Sequence, residues 1–170
     1  PRSLPGTTDG AHMTTGLEHD ELGRRTEETE VRIEQVDKRE RKVETAREQE
    51  EWEPREFGDP DADTLVLSWG SNEGPLREAL DFLAADGIDV RFLSVPYLFP
   101  RPDLSDAIET AETTIVVECN ATGQFADLVE HDVLERVERI NKYNGVRFKA
   151  DELADEIRTV VEPQAPEVEQ

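Results

Sequence analysis

Three short apolar runs limit the folds open to this chain more than any other part of its sequence. They are TLVLSWG at 64–70, IDVRFLSV at 88–95 and TTIVVEC at 113–119. Each is rich in β-branched and other apolar residues, which is typical of strands that helices cover on both faces. Between the first two runs, apolar residues recur at helical spacing, and Gly87 is the predicted C-cap of that helix. Strands that alternate with helices predict an α/β domain with right-handed crossovers and a mostly parallel sheet.

Further elements complete a division of the chain into four zones. A second helix is predicted over 121–131, a fourth strand over 133–140 at an edge of the sheet, and a last helix that Asp151 opens and Pro163 stops. The zones are a loop at 1–24, a charged linker helix within 25–58, the α/β domain at 59–162 and a disordered acidic tail at 163–170. In the linker the helical stretch is 26–51, and its thin apolar stripe argues against a long coiled coil.

The charge of the chain excludes some classes of function. There are 41 acidic against 19 basic residues, a formal net charge of −22, so phosphate-driven binding to nucleic acid is not expected. Apolar runs argue against a disordered acidic protein, and we predict a folded, salt-adapted one whose carboxylates repel each other less at high salt. A single cysteine, Cys119, fits a reducing cytoplasm. No apolar run approaches the roughly 18 residues of a membrane span.

The loop after the first strand, GSNEGP at 70–75, has the position of a phosphate-binding loop. It lacks the Gly-Lys-Ser/Thr ending of a Walker loop and the third glycine of a dinucleotide fingerprint, and Glu73 would lie beside any phosphate. We therefore predict a structural turn in which Ser71 or Asn72 caps the helix and Pro75 occupies an early helical position. The alternative is a stand-alone α/β module that binds a small anion at this helix start, from Ser71 to Pro75.

Other candidate groups have simpler interpretations. His12, Glu18, His19, Asp20 and Glu21 could bind a metal, but a solvated loop or a domain contact is the favoured interpretation, and no metal site is predicted. Cys119 could be a nucleophile at a strand end, although a buried, unreactive thiol is more common. After it, NATG predicts a strand-to-helix turn with Asn120 or Thr122 as the cap.

Seven segments in order resemble one family. They are PRSLPG, TGLEHDELGR, VDKRERKVE, LVLSWGSNEGPLREAL, GIDVRFLSVPYLFPRP, IVVECNATGQFADLV and INKYNGVRF. Together they look like the C-terminal part of the alpha subunit of 2-oxoacid:ferredoxin oxidoreductases, with wording closest to salt-adapted archaeal 2-oxoglutarate or pyruvate types.

The resemblance implies a fold and a distribution of functions between the subunits of the enzyme. The fold is a three-layer domain like the C-terminal domain of transketolase-like enzymes, with a mainly parallel sheet and commonly one antiparallel edge strand. The whole enzyme converts a 2-oxoacid and CoA to an acyl-CoA and CO₂ and reduces ferredoxin, with thiamine diphosphate, Mg²⁺ and a 4Fe-4S cluster. In the family these cofactors are held mainly by the beta subunit. This chain would therefore bind none of them, would not catalyse alone, and would have a structural and interface role beside a beta subunit.

Two sets of site residues are predicted, and the first follows from the resemblance. The loop at 1–24 follows the upstream pyrimidine-binding domain of the family, so Arg2, Asp9 and His12 are candidates for the substrate and CoA entrance. The interface or anion-site candidates are Ser71, Asn72, Asn120, Thr122, Gly123 and Gln124. No catalytic residue is predicted in this chain.

Overall fold

The structure is a computed structural model that describes residues 4, 6–8, 10–13, 16–20, 22–48 and 52–162. The chain divides into two compact units, Pro1–Glu48 and Gln49–Gln170. In the described part of the first unit, the antiparallel strands β1 (Glu18–His19) and β2 (Arg25–Thr26) precede helix α1 (Thr29–Arg47). Helix α1 buries none of its residues, which agrees with the charged helix that the sequence predicts.

Ionic contacts join α1 to the hairpin. The Glu18 carboxylate accepts hydrogen bonds from Arg32 at 2.8 Å and from Arg39 at 2.7 Å. The hydrogen bond from Arg39, more than any other contact, lowers the pKa of Glu18. This carboxylate therefore serves the packing of α1, and the described residues contain no group of three or more potential metal ligands.

The second unit is built on a five-stranded sheet. Its elements in chain order are β3 (Arg55–Gly58), β4 (Thr64–Trp69), α2 (Glu73–Ala85), β5 (Arg91–Val95), α3 (Ser105–Glu109), β6 (Thr113–Glu118), α4 (Gln124–Val133), β7 (Glu138–Asn141) and α5 (Ala150–Val161). The order across the sheet is β3-β5-β4-β6-β7. Strand β3 is antiparallel to β5, and all other neighbours are parallel.

Helices cover both faces of the sheet, because its side chains alternate between them. On one face Val66, Phe92 and Ile115 pack against α2 and α5 through Leu83 and Leu153. The opposite face is a separate cluster in which the other strand residues meet α3 and α4. That cluster is built mainly from Leu65, Leu67, Leu93, Val116, Ile108, Phe125 and Val129. The predicted three-layer α/β fold with a mostly parallel sheet is confirmed.

The structure differs from the predicted elements in three places. Strand β3 and helix α3 were not predicted, and β3 ends one residue before the predicted domain boundary at 59. The fourth strand lies at an edge, as predicted, but it is β7, Glu138–Asn141, and not 133–140. Helix α4 continues to Val133, and Leu134 then takes a left-handed conformation with φ of 58°. The alternation of apolar residues in 133–140 therefore spans a helix end and a strand.

Helix α2 ends next to Gly87, as predicted, but Gly87 is not itself the C-cap. Asp86 is the C-cap, and Gly87 follows it with φ of +78°. The N–H of Gly87 donates to the carbonyl of Ala84, and that of Ile88 donates to Leu83, which is a Schellman motif. Across the described residues, no helix combines the length and the apolar content that crossing a bilayer requires.

Candidate functional site at the carboxyl end of the sheet

The candidate residues meet where β4 and β6 end side by side. The chain leaves β4 towards β5 on one side and later returns to β6 on the other, so the order of strands reverses between β4 and β6. Ligands of open α/β sheets bind in the crevice at this position, outside the carboxyl ends of the strands. The loops at 70–72 and 119–123 line it, and helices α2 and α4 begin there.

Asn72 closes the space between the two strand ends. Its side chain is 5% exposed, and its Nδ2 donates to Ser68 Oγ at 3.2 Å. Ser68 Oγ donates in turn to the carbonyl of Val117 on β6 at 2.6 Å, and Cys119 Sγ donates to Asn72 Oδ1 at 3.2 Å. The side chains of Ser68, Asn72 and Cys119 therefore form hydrogen bonds with each other and with β6 between the two strand ends.

The prediction that Ser71 or Asn72 caps α2 is wrong. Asn72 occupies the N-cap position, but neither side chain makes the capping hydrogen bond, because Asn72 turns inward to β6 and Ser71 is exposed. The predicted early helical position of Pro75 is confirmed.

Glu73 occupies the start of α2, where a phosphate would bind in a nucleotide-binding domain. Its carboxylate accepts a hydrogen bond from Ser94 Oγ at 2.6 Å and forms an ion pair with Arg55 at 2.5 Å. A carboxylate in the first turn also interacts favourably with the helix dipole. The carboxylate of Glu73 thus already supplies the negative charge that the start of α2 favours. This argues against the stand-alone module that binds a small anion there.

The Glu118 carboxylate likewise supplies a negative charge at the start of α4. It is fully buried, and its carboxylate accepts hydrogen bonds from the backbone N–H groups of Phe125 at 3.0 Å and Ala126 at 3.0 Å. Asn120 Nδ2 donates to the same carboxylate at 2.6 Å. Sequence reasoning missed this residue. The available signal was a charged residue at the end of an apolar strand, directly before a turn and a helix.

Asn120, Thr122, Gly123 and Gln124 form the turn into α4. Asn120 Oδ1 accepts hydrogen bonds from the N–H groups of Thr122 at 3.1 Å and Gly123 at 2.7 Å. Gly123, with φ of +70°, is the N-cap residue, so neither Asn120 nor Thr122 caps the helix as predicted. The Gly123 position is crowded, since a Cβ there would lie 2.9 Å from Arg139 Nη1. Thr122 and Gln124 are exposed.

Four sequence candidates remain: Cys119, His12, Arg2 and Asp9. Cys119 is exposed, so the expectation of a buried thiol is wrong. His12 is exposed and its Nδ1 lies 3.1 Å from the carbonyl of Gly10. Arg2 and Asp9 lie outside the described residues, as does the predicted tail at 163–170, so the predicted entrance loop stays a prediction.

The chemistry of these residues does not fit the cofactors that the family implies. A 4Fe-4S cluster takes four cysteine thiolates, and the chain has one cysteine. A diphosphate needs uncompensated N–H groups or cations, whereas Glu73 and Glu118 place carboxylates at the two helix starts beside the switch point. We therefore derive no catalytic step through these groups in this chain.

Comparisons with known proteins give a consistent answer. No family model matches the chain. The alpha subunit of 2-oxoacid:ferredoxin oxidoreductase 2 from Aeropyrum pernix is 35% identical over 167 residues, which cover 95% of this chain and 26% of the relative. The 2-oxoglutarate oxidoreductase subunit KorA of Mycobacterium tuberculosis is 33% identical over 118 residues, covering 68% of this chain and 18% of the relative.

A solved structure agrees with the curated relatives. The 2-oxoglutarate:ferredoxin oxidoreductase from Magnetococcus marinus, with 2-oxoglutarate, coenzyme A and succinyl-CoA bound, matches with a TM-score of 0.72 and 25% identity. The match covers 91% of this chain and 27% of that chain.

The fold and the sequence together match those of an α/β domain in the alpha subunits of 2-oxoacid:ferredoxin oxidoreductases. This chain is a homologue of the alpha subunits of 2-oxoacid:ferredoxin oxidoreductases and corresponds to a C-terminal portion of them. It spans about a quarter of the length of the relatives it matches.

Proposed function

We propose that this chain is the structural and interface domain of a 2-oxoacid:ferredoxin oxidoreductase that forms an acyl-CoA and CO₂ from a 2-oxoacid and CoA. The observation that carries the structural role is the internal pairing of the crevice at the switch point. The polar side-chain atoms of Asn72, Glu73 and Glu118 form hydrogen bonds with groups of the neighbouring strands and helix starts. Such a domain would have a structural role towards the neighbouring domains, and catalysis would take place in other parts of the enzyme.

The rest of the enzyme follows from the family. Thiamine diphosphate, Mg²⁺ and the 4Fe-4S cluster would be held by a beta subunit, and ferredoxin would be the electron acceptor. The bound 2-oxoglutarate, coenzyme A and succinyl-CoA of the Magnetococcus marinus enzyme support this assignment of substrate class. We place the enzyme in a salt-rich cytoplasm, which the net charge of −22 and the single cysteine support.

Affinity purification tests the assignment. The chain, tagged in the cells that encode it, should bring down a beta subunit and the remaining alpha-subunit sequence. The complex should reduce ferredoxin only when both a 2-oxoacid and CoA are present, and the 170-residue chain alone should not. Calorimetry on the chain with thiamine diphosphate, CoA and nucleotides is the counter-test: tight binding of any of them would favour the stand-alone module.

A further inference from the structure

Strand β3 lies at an edge of the five-stranded sheet, and its backbone offers hydrogen bonds on the side away from β5. In the described part of the chain, β5 is the one strand that pairs with it. The N–H of Asp59 donates to the carbonyl of Val90, so residues 59 and 90 form a hydrogen-bonded pair. Such pairs alternate along an antiparallel ladder, so 57 with 92 and 55 with 94 are the next ones. The N–H and C=O groups of Glu56 and Gly58 therefore point away from the sheet.

The sequence of this edge is symmetric in the properties that decide how a strand pairs. It reads PREFGDP at 54–60, with Phe57 at the centre. In two antiparallel copies centred on Phe57, each Glu56 lies opposite the partner's Gly58, so the outward N–H groups of both copies meet outward carbonyls. Pro54 then lies opposite the partner's Pro60. Neither proline has an N–H, so the new ladder would end at the same point on both sides.

The side chains that this pairing would bring together are complementary. Because strand side chains alternate, Arg55, Phe57 and Asp59 share the face of the sheet on which α2 packs. Arg55 lies opposite the partner's Asp59, and this attractive pair occurs twice across the two-fold axis. Arg55 is 61% exposed beside its ion-pair partner Glu73, so its guanidinium is accessible at the edge. The two Phe57 rings would meet on the axis itself.

Other symmetric registers are less favourable. A pair centred on Glu56 would place two carboxylates opposite each other, and like charges in that position are destabilising. A pair centred on Gly58 would place Glu56 opposite Pro60, which has no N–H to donate. The register centred on Phe57 is therefore the one that uses both outward residues of each copy and avoids like charges.

A groove beside β3 favours an occupant that brings positive charge. It lies between β3 and α2 and has a volume of about 780 Å³. Phe57, Leu80 and Ile88 line it, with carboxylates at positions 59, 78, 81 and 89 and one guanidinium, that of Arg77. An acidic segment would be repelled there. A second copy instead places its Arg55 opposite Asp59, at the wall of this groove.

We propose that two copies of this chain pair through β3, about a two-fold axis at Phe57, and so join their five-stranded sheets. Such an interface uses the same surface patch on both copies. The contact goes beyond the proposed function, because it needs neither substrate nor cofactor. The net charge of −22 opposes association, and this repulsion weakens as the screening length falls from about 10 Å at 0.1 M salt to about 3 Å at 1 M. The dimer should therefore form in molar KCl and dissociate at low salt.

Disulfide trapping tests the contact and its register. Phe57→Cys in a Cys119→Ser background leaves the 170-residue chain with a single thiol, on the proposed axis. The two thiols would belong to a non-hydrogen-bonded pair, whose Cα separation of about 4.5 Å lies within the reach of a disulfide. We expect oxidation in about 1 M KCl to link most copies, both of this chain and of the alpha subunit in the complete enzyme. Mass spectrometry identifies the peptides that are linked at position 57.

Glu56→Cys in the same background is the matched control. Its thiols would lie diagonally across the axis, about 7–8 Å apart at Cα, which is beyond the reach of a disulfide, so it should give about tenfold less linked product. Linkage at position 56 in place of 57 would overturn the register. Absence of linkage at position 57 in the complete enzyme would overturn the dimer.

An exchange of charges adds a second readout and leaves Phe57 in place. Arg55→Asp or Asp59→Arg alone places like charges opposite each other at two positions, so each should raise the dissociation constant of the dimer about fivefold or more. The two substitutions together restore opposite charges and should return the constant close to the wild-type value. Sedimentation equilibrium in about 1 M KCl measures it, and circular dichroism checks that each variant is folded. A folded double variant that dimerises no better than the single ones, or a wild-type chain that stays monomeric in molar KCl, would refute the inference.

Discussion

At the scale of single residues, the most informative group is the buried carboxylate of Glu118. Glu118 has no exposed surface, and within the described part of the chain its carboxylate is bound by two backbone N–H groups and the Asn120 amide and by no basic side chain. A carboxylate in such a position satisfies N–H groups that a helix cannot pair internally. The side chain therefore fastens the end of β6 to the start of α4.

Replacement of Glu118 tests this role. Glu118→Ala leaves the N–H groups of Phe125 and Ala126 buried without acceptors, so the free energy of unfolding should fall by about 1–3 kcal/mol. Urea denaturation followed by circular dichroism measures the change. The control is Glu135→Ala in an exposed loop, which should change stability by less than about 0.5 kcal/mol. Similar losses in both variants would show that Glu118 has no special role.

Glu130 gives a prediction for the dependence of stability on pH. The hydrogen bond from the backbone N–H of Val137, followed by the contact with Arg139, lowers the pKa of Glu130 below its ordinary value of 4.5. Because the pKa is lowered in the folded state, the ionised form stabilises the fold above that value, and the contribution is lost as pH falls through the folded pKa.

Glu130→Gln should therefore reduce stability at about pH 7 and have a smaller effect at about pH 3. Urea denaturation of the wild-type and variant chains across this range measures the difference. Glu135→Gln, on an exposed loop residue, is the matched control. A difference that stays constant between these pH values would mean that the carboxylate charge of Glu130 does not contribute.

At the scale of elements, the edge strand β3 depends on a glycine. Gly58 has φ of +83°, and a Cβ there would lie 2.1 Å from the carbonyl oxygen of Val90. Gly87, after α2, has a similar φ of +78° but open space around it. The two glycines therefore separate the cost of a left-handed backbone from the cost of a steric clash.

Gly87→Ala should destabilise the chain by about 1–2 kcal/mol, the cost of a left-handed conformation for a residue with a Cβ. Gly58→Ala should cost about 3 kcal/mol or more, because the clash with Val90 adds to that term. Thermal and urea unfolding of both variants provide the comparison. Equal costs would indicate that β3 can shift away from β5 without penalty.

The elements also show how far sequence reasoning reaches. Strand β6 could be predicted because both of its faces are covered, so its residues form a continuous apolar run. Such a run can be recognised without knowing which strands lie beside it. Strand β3 has one apolar side chain, Phe57, in four residues, and its state is set by pairing with β5, which is distant in sequence. Sequence also predicted Glu73 at the start of α2, where the helix follows directly. The role of Glu118 could not be predicted from the sequence. The N–H groups of Phe125 and Ala126, which donate to its carboxylate, lie beyond a turn whose shape the sequence does not reveal.

At the scale of the whole molecule, the net charge of −22 predicts a strong response to salt. Repulsion between surface carboxylates weakens as the screening length falls from about 10 Å at 0.1 M to about 3 Å at 1 M. The urea midpoint of the chain should therefore rise steadily as KCl increases over this range.

A variant with fewer carboxylates is the control for this effect. Asp59, Asp61 and Asp63 are exposed in the loop between β3 and β4, and their combined replacement by Asn should reduce the rise in midpoint. A rise of the same size in the variant would point to general salting-out and not to relief of repulsion. No rise in the wild-type chain would contradict the salt-adapted interpretation.

The stacked pair of Trp52 and Tyr97 has a practical consequence for spectroscopy. The chain has two tryptophans, and neither belongs to the two apolar clusters of the core, since Trp52 stacks on Tyr97 and Trp69 is exposed at the end of β4. Intrinsic tryptophan emission of this chain will therefore report the environment of one sheet edge and not the state of the core. A partner that covers Trp69 would shift this emission to the blue, whereas unfolding is better followed by backbone signals.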